Sequence, residues 1–282
     1  MHVLITGVDG FTGRYLKLKL IESGHTVTGL SANLIDFNSI NKEIEKVQPE
    51  TVVHLAGISF AGHEDYKKYY DVNLVGTRNL LEALSNHSEN LKSVLIASSA
   101  SIYGDGYKHA ISENDTPNPI NDYAISKLAL EYVAKLFMDK LPIFIVRPFN
   151  YTGLGQSESF LIPKIIEHFN KKKPSIELGN IMIQREFNDV RNVVNIYSDL
   201  LINGPSGKIF NICTEKTFSI QDVIGRCEKI TNHKMEIRVN PNFCRSNDAN
   251  RLVGNGQYLR KFTDPVNVFS LDDTLRWMLL CK

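Results

Sequence analysis

Tyr123 and Lys127 are four residues apart, a spacing that places both side chains on one face of a helix. An ammonium group beside a phenol stabilises the phenolate, and it thereby lowers the phenol pKa from its usual value of about 10. A tyrosine tuned in this way can donate or accept a proton near neutral pH. Because the helix follows a predicted strand that ends at Ser98-Ser99, the pair is a candidate for acid–base chemistry at a strand end.

Three glycines follow the first predicted strand directly, in the run Gly7-Val8-Asp9-Gly10-Phe11-Thr12-Gly13. In a dinucleotide site, one glycine makes the tight turn, one lets the backbone approach a pyrophosphate, and one lets helix and strand pack closely. The helix that opens here offers N–H groups and a positive dipole end to phosphates. The run therefore predicts a dinucleotide-binding loop.

The elements that must position these residues alternate along the chain. The predicted strands read as continuous apolar runs, as expected where helices cover both faces of a sheet; they are His2–Thr6, Thr26–Leu30, Thr51–Leu55, Val94–Ala97 and Ile143–Arg147. The predicted helices are Gly13–Ser23, Ile40–Val47, Val75–Asn86 and Tyr123–Lys140. Repeated βα units predict an α/β fold, a doubly wound parallel (Rossmann) sheet with a smaller α/β substrate-binding lobe.

The regular alternation of strands and helices ends after Pro148, which predicts two lobes that share a large interface. We expect residues 1–150 plus about 184–212 to form the dinucleotide-binding domain. Residues 151–183 plus about 213–282 would form the nucleotide-sugar-binding lobe. Further along the chain we expect a strand at Ile209–Cys213, a helix at Ile220–Ile230 capped by Ser219, and a closing helix at Leu271–Leu280.

Composition excludes several classes of protein. The 282 residues carry 32 basic and 31 acidic side chains, a net charge of +1, which argues against nucleic-acid and membrane-surface partners. No apolar run approaches the roughly 18 residues of a membrane span. The cysteines form no CxxC pair and cluster with no histidines, so we expect no metal site and reduced thiols of a cytoplasmic protein; they are Cys213, Cys227, Cys244 and Cys281.

The GxxGxxG loop, the segment Ser98-Ser99-Ala100-Ser101-Ile102-Tyr103-Gly104 and the Tyr123-x-x-x-Lys127 pair occur in the order seen in one enzyme family. Together they resemble the extended short-chain dehydrogenase/reductases, most of which act on nucleotide-activated sugars. The resemblance implies that Ser99, Tyr123 and Lys127 are catalytic, with Ser99 on the reacting sugar oxygen and Lys127 also on the nicotinamide ribose. The cofactor-binding set that it implies is Gly7, Gly10, Phe11, Thr12, Gly13, Ser31, Asp36, Leu55, Ala56 and Lys127.

The resemblance extends into the second lobe. Arg147-Pro148-Phe149-Asn150 is similar to the family's Arg-x-Phe-Asn, and this implies that Asn150 contacts the substrate. Arg185 and Arg245 become the arginines that clamp the diphosphate, a task for which the planar guanidinium is suited. Asp248 could reach a ribose. Glu186 and Asn192 replace aspartates of the family pattern, and Asn73 matches its helix-positioning asparagine, although a plain helix cap would also explain that residue.

The cofactor preference depends on the end of the second strand, Leu30-Ser31-Ala32-Asn33. An acid commonly grips the adenosine ribose of NAD at this point. Here no carboxylate is present to repel a 2′-phosphate, so NADP(H) is favoured and NAD(H) remains possible. Arg14 is a candidate ligand for that phosphate. Asp36 matches the family's acid at the adenine, and capping of the next helix is an equal alternative.

The reaction class follows from what stands after Ser99. Sugar-nucleotide dehydratases of this family carry acids there, whereas this chain has Ala100 and Ser101. The pattern is most similar to bacterial GDP-4-keto-6-deoxy-mannose reductases. It implies reduction of a nucleotide-diphosphate sugar in the synthesis of cell-surface polysaccharide precursors such as lipopolysaccharide, and a homodimer. The alternatives are a 4-epimerase with tightly bound NAD and a non-catalytic NADP-sensing module.

Overall fold

The computed structural model describes residues 1–59, 65–87, 89–243, 251–264 and 268–281. Its strands are β1 (His2–Thr6), β2 (Thr26–Gly29), β3 (Thr51–His54), β4 (Ser93–Ala97), β5 (Ile143–Pro148), β6 (Tyr151–Thr152), β7 (Ser175–Leu178), β8 (Gln184–Arg185), β9 (Asn188–Asp189), β10 (Ile209–Ile212), β11 (Phe218–Ser219), β12 (Glu236–Val239) and β13 (Arg251–Leu252). Its α-helices are α1 (Phe11–Glu22), α2 (Phe37–Val47), α3 (Gly76–His87), α4 (Asp122–Lys135), α5 (Leu161–Asn170), α6 (Val190–Asn203), α7 (Ile220–Thr231) and α8 (Leu271–Leu280).

Six parallel strands form the central sheet in the order β10-β5-β4-β3-β1-β2. Helices α1 and α6 cover one face, where Leu16, Leu20 and Val193 pack against Val3 and Phe144. Helices α2, α3 and α4 cover the other face. Because both faces are buried, the strands carry the continuous apolar runs that predicted them. The doubly wound parallel sheet is confirmed.

The second lobe has a core of its own, to which α5, α7 and α8 contribute Ile165, Ile224 and Leu275. Three small sheets lie around it, in the orders β11-β8-β13, β12-β7 and β6-β9. Ser219 caps α7 as predicted, in a capping box with Asp222. The closing helix has its predicted bounds.

Two helices differ from their predicted bounds near the expected catalytic residues. A π-helix, Tyr69–Val75, leads directly into α3, which then begins at Gly76. The catalytic helix α4 ends at Lys135 and not at Lys140. Hydrogen-bonded turns follow it over residues 136–140 and replace the last part of the predicted helix.

Candidate active site

Tyr123 lies in the first turn of α4, which Asn121 caps by accepting a hydrogen bond from the backbone N–H of Ala124. The Tyr123 side chain is almost fully buried, and the Ser99 hydroxyl lies near enough to its phenol to affect the phenol pKa. Burial raises the pKa of Tyr123 to about 12, against the lowering effect of the Ser99 hydrogen bond. The phenol is therefore protonated at neutral pH and is a proton donor.

Lys127 lies one turn further along α4, and its ammonium donates to the carbonyl oxygen of Ala97 over 2.9 Å. Burial lowers the pKa of Lys127 to about 8, while the Glu131 carboxylate acts in the opposite direction. The Tyr-Lys spacing predicts a lowered pKa for Tyr123, whereas the structure gives a raised one, because removal of the phenol from water dominates.

Asn73, on the π-helix, ties the catalytic helix to the end of β3. Its amide nitrogen donates to the Ser126 hydroxyl over 3.0 Å, and its amide oxygen accepts from the backbone N–H of Ile58 over 2.8 Å. Ser126 in turn donates to the backbone carbonyl of Tyr123 over 2.8 Å. Asn73 thus positions α4, as the resemblance implied, and it does so from within a π-helix, an element frequent at functional sites.

His54 is a positioning residue that the sequence pattern did not reveal. It is buried at the end of β3, and its ring nitrogens contact the hydroxyls of Thr6 at 2.7 Å and Thr77 at 2.9 Å. Burial, followed by the charge of Lys127, lowers the pKa of His54 to about 3, so the ring is neutral at physiological pH. Since Thr77 also donates to the carbonyl of Asn73, a continuous chain of hydrogen bonds runs from β1 to the catalytic helix.

The glycine loop has the shape that a dinucleotide requires. Gly7 has a φ of +70°, and a Cβ at Gly13 would lie 2.2 Å from the carbonyl oxygen of Gly7. Helix α1 begins directly after Gly10, which has no side chain to cap it. The N–H groups of its first turn, from Phe11 to Gly13, are thus suited to an anion. The residues present fit the diphosphate of a dinucleotide.

Other predicted cofactor residues cluster round this loop. The backbone N–H of Leu55 donates to the Thr6 carbonyl, and that of Ala56 donates to the Thr6 hydroxyl. A Cβ at Gly7 would lie 2.9 Å from the backbone of Ala56. The hydroxyl of Thr12 is 2.7 Å from that of Tyr151, so it links α1 to the second lobe.

The adenosine side corrects one premise of the cofactor prediction. A carboxylate does stand at the end of β2, that of Glu43, which reaches Ser31 and Ala32 from helix α2. A side chain twelve residues further along could not be placed there from the sequence. Asp36 caps α2, because its carboxylate accepts a hydrogen bond from the backbone N–H of Ser39. Of the two roles predicted for Asp36, an adenine contact and a helix cap, the structure therefore shows the cap. Arg14 donates to the Gly155 carbonyl in the second lobe.

The predicted substrate residues lie at the junction with the second lobe. Asn150 is exposed, and its carbonyl accepts from the backbone N–H of Asn188 over 2.9 Å, beside the β6–β9 pair. Arg185 is buried in β8 and donates to the carbonyl of Gln184. Arg245 and Asp248 lie outside the described residues.

Glu186 and Asn192, the two residues that depart from the family pattern, both make hydrogen bonds within the protein. The Glu186 carboxylate accepts from the backbone N–H groups of Thr214 and Gly254, so it fastens two segments of the second lobe together. Burial raises the pKa of Glu186 to about 7. Asn192 donates to the carbonyl of Phe269 over 2.8 Å.

A buried ion pair anchors helix α4 one turn beyond Lys127. The guanidinium of Arg147 binds both carboxylate oxygens of Glu131, at 2.9 and 2.7 Å, and also donates to the Tyr103 hydroxyl over 2.8 Å. Glu131 lies on the same face of α4 as Tyr123 and Lys127. The pair therefore fixes this face of the helix to strand β5.

Metal sites and membrane spans are both absent from the part of the chain that the structure describes. Among those residues, no group of three or more His, Cys, Asp or Glu side chains is placed so that it could hold a metal ion. None of the described helices has the length and apolar character needed to cross a membrane.

Known proteins resemble this chain in sequence and in fold. Residues 3–213 match the NAD dependent epimerase/dehydratase family. The chain is 35% identical over 260 residues to the GDP-6-deoxy-D-talose 4-dehydrogenase of Aggregatibacter actinomycetemcomitans, covering 90% of this chain and 88% of that protein. It is 29% identical to the GDP-6-deoxy-D-mannose reductase of Pseudomonas aeruginosa, covering 99% and 96%.

A solved structure shares the whole fold. The structure of RMD from Pseudomonas aeruginosa complexed with NADPH superimposes with a TM-score of 0.91 at 28% identity, covering 99% of this chain and 97% of that chain. The parallel sheet with flanking helices is common to both proteins.

Proposed function

Because the chain belongs to the NAD dependent epimerase/dehydratase family, we propose that it reduces the 4-keto group of a nucleotide-linked 4-keto-6-deoxy sugar, with GDP as the nucleotide. The observation that carries this proposal is the buried phenol of Tyr123 near the hydroxyl of Ser99, with Lys127 one turn beyond on the same helix. Two neighbouring hydroxyls can both donate hydrogen bonds to one carbonyl oxygen of a substrate. A phenol that is protonated at neutral pH can then give its proton to that oxygen.

The names of two relatives support the substrate class. One is a 4-dehydrogenase of GDP-6-deoxy-D-talose and the other is a GDP-6-deoxy-D-mannose reductase. Both names describe redox chemistry on a GDP-linked 6-deoxy sugar, and the first specifies carbon 4. A product of this kind suits the assembly of cell-surface polysaccharides, lipopolysaccharide included.

The glycine loop would hold the cofactor diphosphate through the backbone at Gly10, Phe11, Thr12 and Gly13, where α1 begins. NADP(H) is favoured, in keeping with the NADPH in the RMD structure, and NAD(H) is the alternative. When bound, the reduced nicotinamide supplies the hydride. Lys127 would release the carbonyl of Ala97 and hold the nicotinamide ribose.

Proton delivery would fall to the residues of β4 and α4. Tyr123 gives its proton to the oxygen of the developing alkoxide, and Ser99 donates a hydrogen bond that orients the same oxygen. The ammonium of Lys127 then stabilises the phenolate that remains. Asn150, Arg185, Arg245 and Asp248 would bind the nucleotide diphosphate and its ribose, and binding of these remote groups positions the reacting carbon.

One other reaction of the family fits less well, and a second stays the alternative. A 4,6-dehydratase needs an acid after Ser99, and Ala100 and Ser101 provide none. A 4-epimerase retains its NAD, oxidises carbon 4 and reduces it again, with no net use of cofactor. A sensing module needs none of the catalytic residues, and the buried Ser99–Tyr123 pair argues against that role.

We extend the proposal to the assembly and location of the protein. The domain division is residues 1–150 with about 184–212, and 151–183 with about 213–282. Exposed apolar side chains lie along one face of α4 and directly after its end, which suits a homodimer packed through α3 and α4; they are Ile125, Tyr132 and Leu136. Cys213 and Cys227 are buried free thiols, in keeping with a cytoplasmic location.

The experiment is a reduction assay with purified protein, NADPH and GDP-4-keto-6-deoxy-mannose, followed by nicotinamide absorbance. The proposal predicts oxidation of NADPH that depends on the sugar. Absence of oxidation with this substrate and with the CDP-, dTDP- and UDP-linked keto sugars would remove the reductase assignment. Inversion of an NDP-hexose without added cofactor would replace it with the epimerase.

A further inference from the structure

The carboxylate of Glu43 accepts three hydrogen bonds from donors at the end of β2. One oxygen accepts from the backbone N–H of Ser31 over 2.8 Å. The other accepts from the Ser31 hydroxyl over 2.9 Å and from the backbone N–H of Ala32 over 2.7 Å. Two N–H groups and a hydroxyl that converge on one anion form an oxyanion site, which here is filled by the protein's own side chain.

This oxyanion site lies at the same sheet edge as the glycine loop. Strands β1 and β2 are parallel neighbours, with Ile5 paired to Gly29. A Cβ at Gly29 would lie 2.4 Å from Cγ1 of Val8, which shows that the end of β2 packs against the loop. In dinucleotide folds the adenosine ribose lies at this point, with its 2′ substituent at the end of the second strand.

We propose that Glu43 is the residue that sets the choice between NADP(H) and NAD(H), by competing with the 2′-phosphate for the donors of Ser31 and Ala32. This inference rests on the proposed function only in requiring that the chain bind a nicotinamide dinucleotide. A 2′-phosphate must displace the Glu43 carboxylate or bear its charge, whereas a 2′-hydroxyl can donate to it. Glu43 thus lowers the affinity for NADPH relative to NADH. Without this carboxylate, the donors at the end of β2 would favour NADP(H) more strongly.

The short connection between β2 and β3 explains why this carboxylate comes from a helix. Residues 30–50 contain α2 and no further strand, so α2 packs directly behind the end of β2. Ile40 and Ile44, which flank Glu43 at positions −3 and +1, are fully buried against the sheet. Their burial fixes the rotation of α2 and turns Glu43 towards Ser31.

The test compares dissociation constants for NADPH and NADH, measured by calorimetry without sugar, in the wild type, Glu43→Gln and a matched control, Glu45→Gln. Glu45 is exposed on the same helix, two residues further along. Glutamine keeps the volume and an acceptor oxygen but removes the charge. We expect the ratio of the NADH to the NADPH constant to rise about tenfold in Glu43→Gln, because the repulsion between like charges is lost, and to stay at its wild-type value in Glu45→Gln.

A ratio that is unchanged in Glu43→Gln, or a change common to both cofactors, would overturn the inference and leave Glu43 as a packing residue. Glu43→Ala, measured in parallel, removes the same charge and replaces the glutamine variant in the comparison if that variant does not fold. A wild type that binds neither NADPH nor NADH would overturn the proposed function itself. A wild type that binds both cofactors, with a ratio that Glu43 does not affect, would overturn only the role of Glu43.

Discussion

Lys127 donates its ammonium proton to the carbonyl oxygen of Ala97 over 2.9 Å, and not to Tyr123 one turn before it. Ala97 ends β4 two residues before Ser99, so this bond fastens the middle of α4 to the strand that carries the serine. The Ser99 hydroxyl lies near the buried Tyr123 phenol and affects its pKa. Burial raises the pKa of Tyr123 to about 12 and lowers the pKa of Lys127 to about 8, so both groups keep their protons at neutral pH.

Tyr123→Phe should reduce the rate of keto-sugar reduction by about 10²–10⁴, the usual contribution of a positioned acid. The ring remains, so the packing against Tyr69 and the affinity for NADPH should change little. Rates from nicotinamide absorbance and dissociation constants from calorimetry check the two parts separately. Tyr66→Phe, which removes a hydroxyl from an exposed tyrosine outside the proposed interface, is the control. Full activity in Tyr123→Phe would exclude Tyr123 as the proton donor.

The pH dependence of stability should report the buried amine of Lys127. Its pKa is lowered from 10.5 to about 8 in the folded protein, so between these values the unfolded chain binds the extra proton. The free energy of unfolding, taken relative to Lys127→Met, should therefore rise with pH above about 8, by about 1.4 kcal/mol per pH unit. It should be flat below about 8, where both states are protonated. Urea unfolding of both proteins between pH 7 and 9.5 measures this slope, and a slope of zero would contradict the lowered pKa.

Glu131→Gln should lower the free energy of unfolding by about 3–5 kcal/mol, because it leaves the Arg147 guanidinium buried without its counter-ion. Both members of this pair are almost fully buried. Glu236→Gln removes the same charge from an exposed pair with Arg238, and its effect should be barely measurable. Chemical denaturation of the three proteins gives the comparison. Equal effects at the two sites would mean that the buried pair does not anchor α4.

Tyr132→Glu should convert the proposed homodimer to a monomer. It places a charge at the centre of the apolar face formed by Ile125, Tyr132 and Leu136, where a partner would have to bury it. Light scattering coupled to size exclusion reports the mass. Ile202→Glu, at an equally exposed apolar position on α6, should leave the mass unchanged. A monomeric wild type, or a dimer in Tyr132→Glu, would exclude this interface.

The sequence predicts well those features that depend on short-range patterns. The bounds of β1 and α8, the cap at Ser219 and the position of the glycine loop between β1 and α1 all follow from runs of adjacent residues, and the structure confirms each. The four-residue spacing likewise placed Tyr123 and Lys127 on one helix. A doubly wound sheet follows from the alternation of such segments.

Features that depend on contacts between distant residues could not be predicted. The pKa of Tyr123 is raised because other elements bury the phenol. The four-residue spacing between Tyr123 and Lys127 carries no information about that burial. His54 reads as the end of an apolar strand, and only the fold brings Thr6 and Thr77 to its two nitrogens. The contact between Glu43 and Ser31 depends on the rotation of α2, and for that reason the end of β2 lacked a carboxylate in the sequence but has one in the structure.

The most direct test of the account is to follow the hydride itself. The protein is given GDP-4-keto-6-deoxy-mannose with NADPH that carries deuterium at the transferred position, and the product sugar is examined by nuclear magnetic resonance. The account predicts one deuterium at carbon 4 for each NADPH consumed, and in Tyr123→Phe a product that carries the same label but forms about 10²–10⁴ times more slowly. Product without deuterium at carbon 4, or an inverted sugar formed without consumption of NADPH, would contradict it.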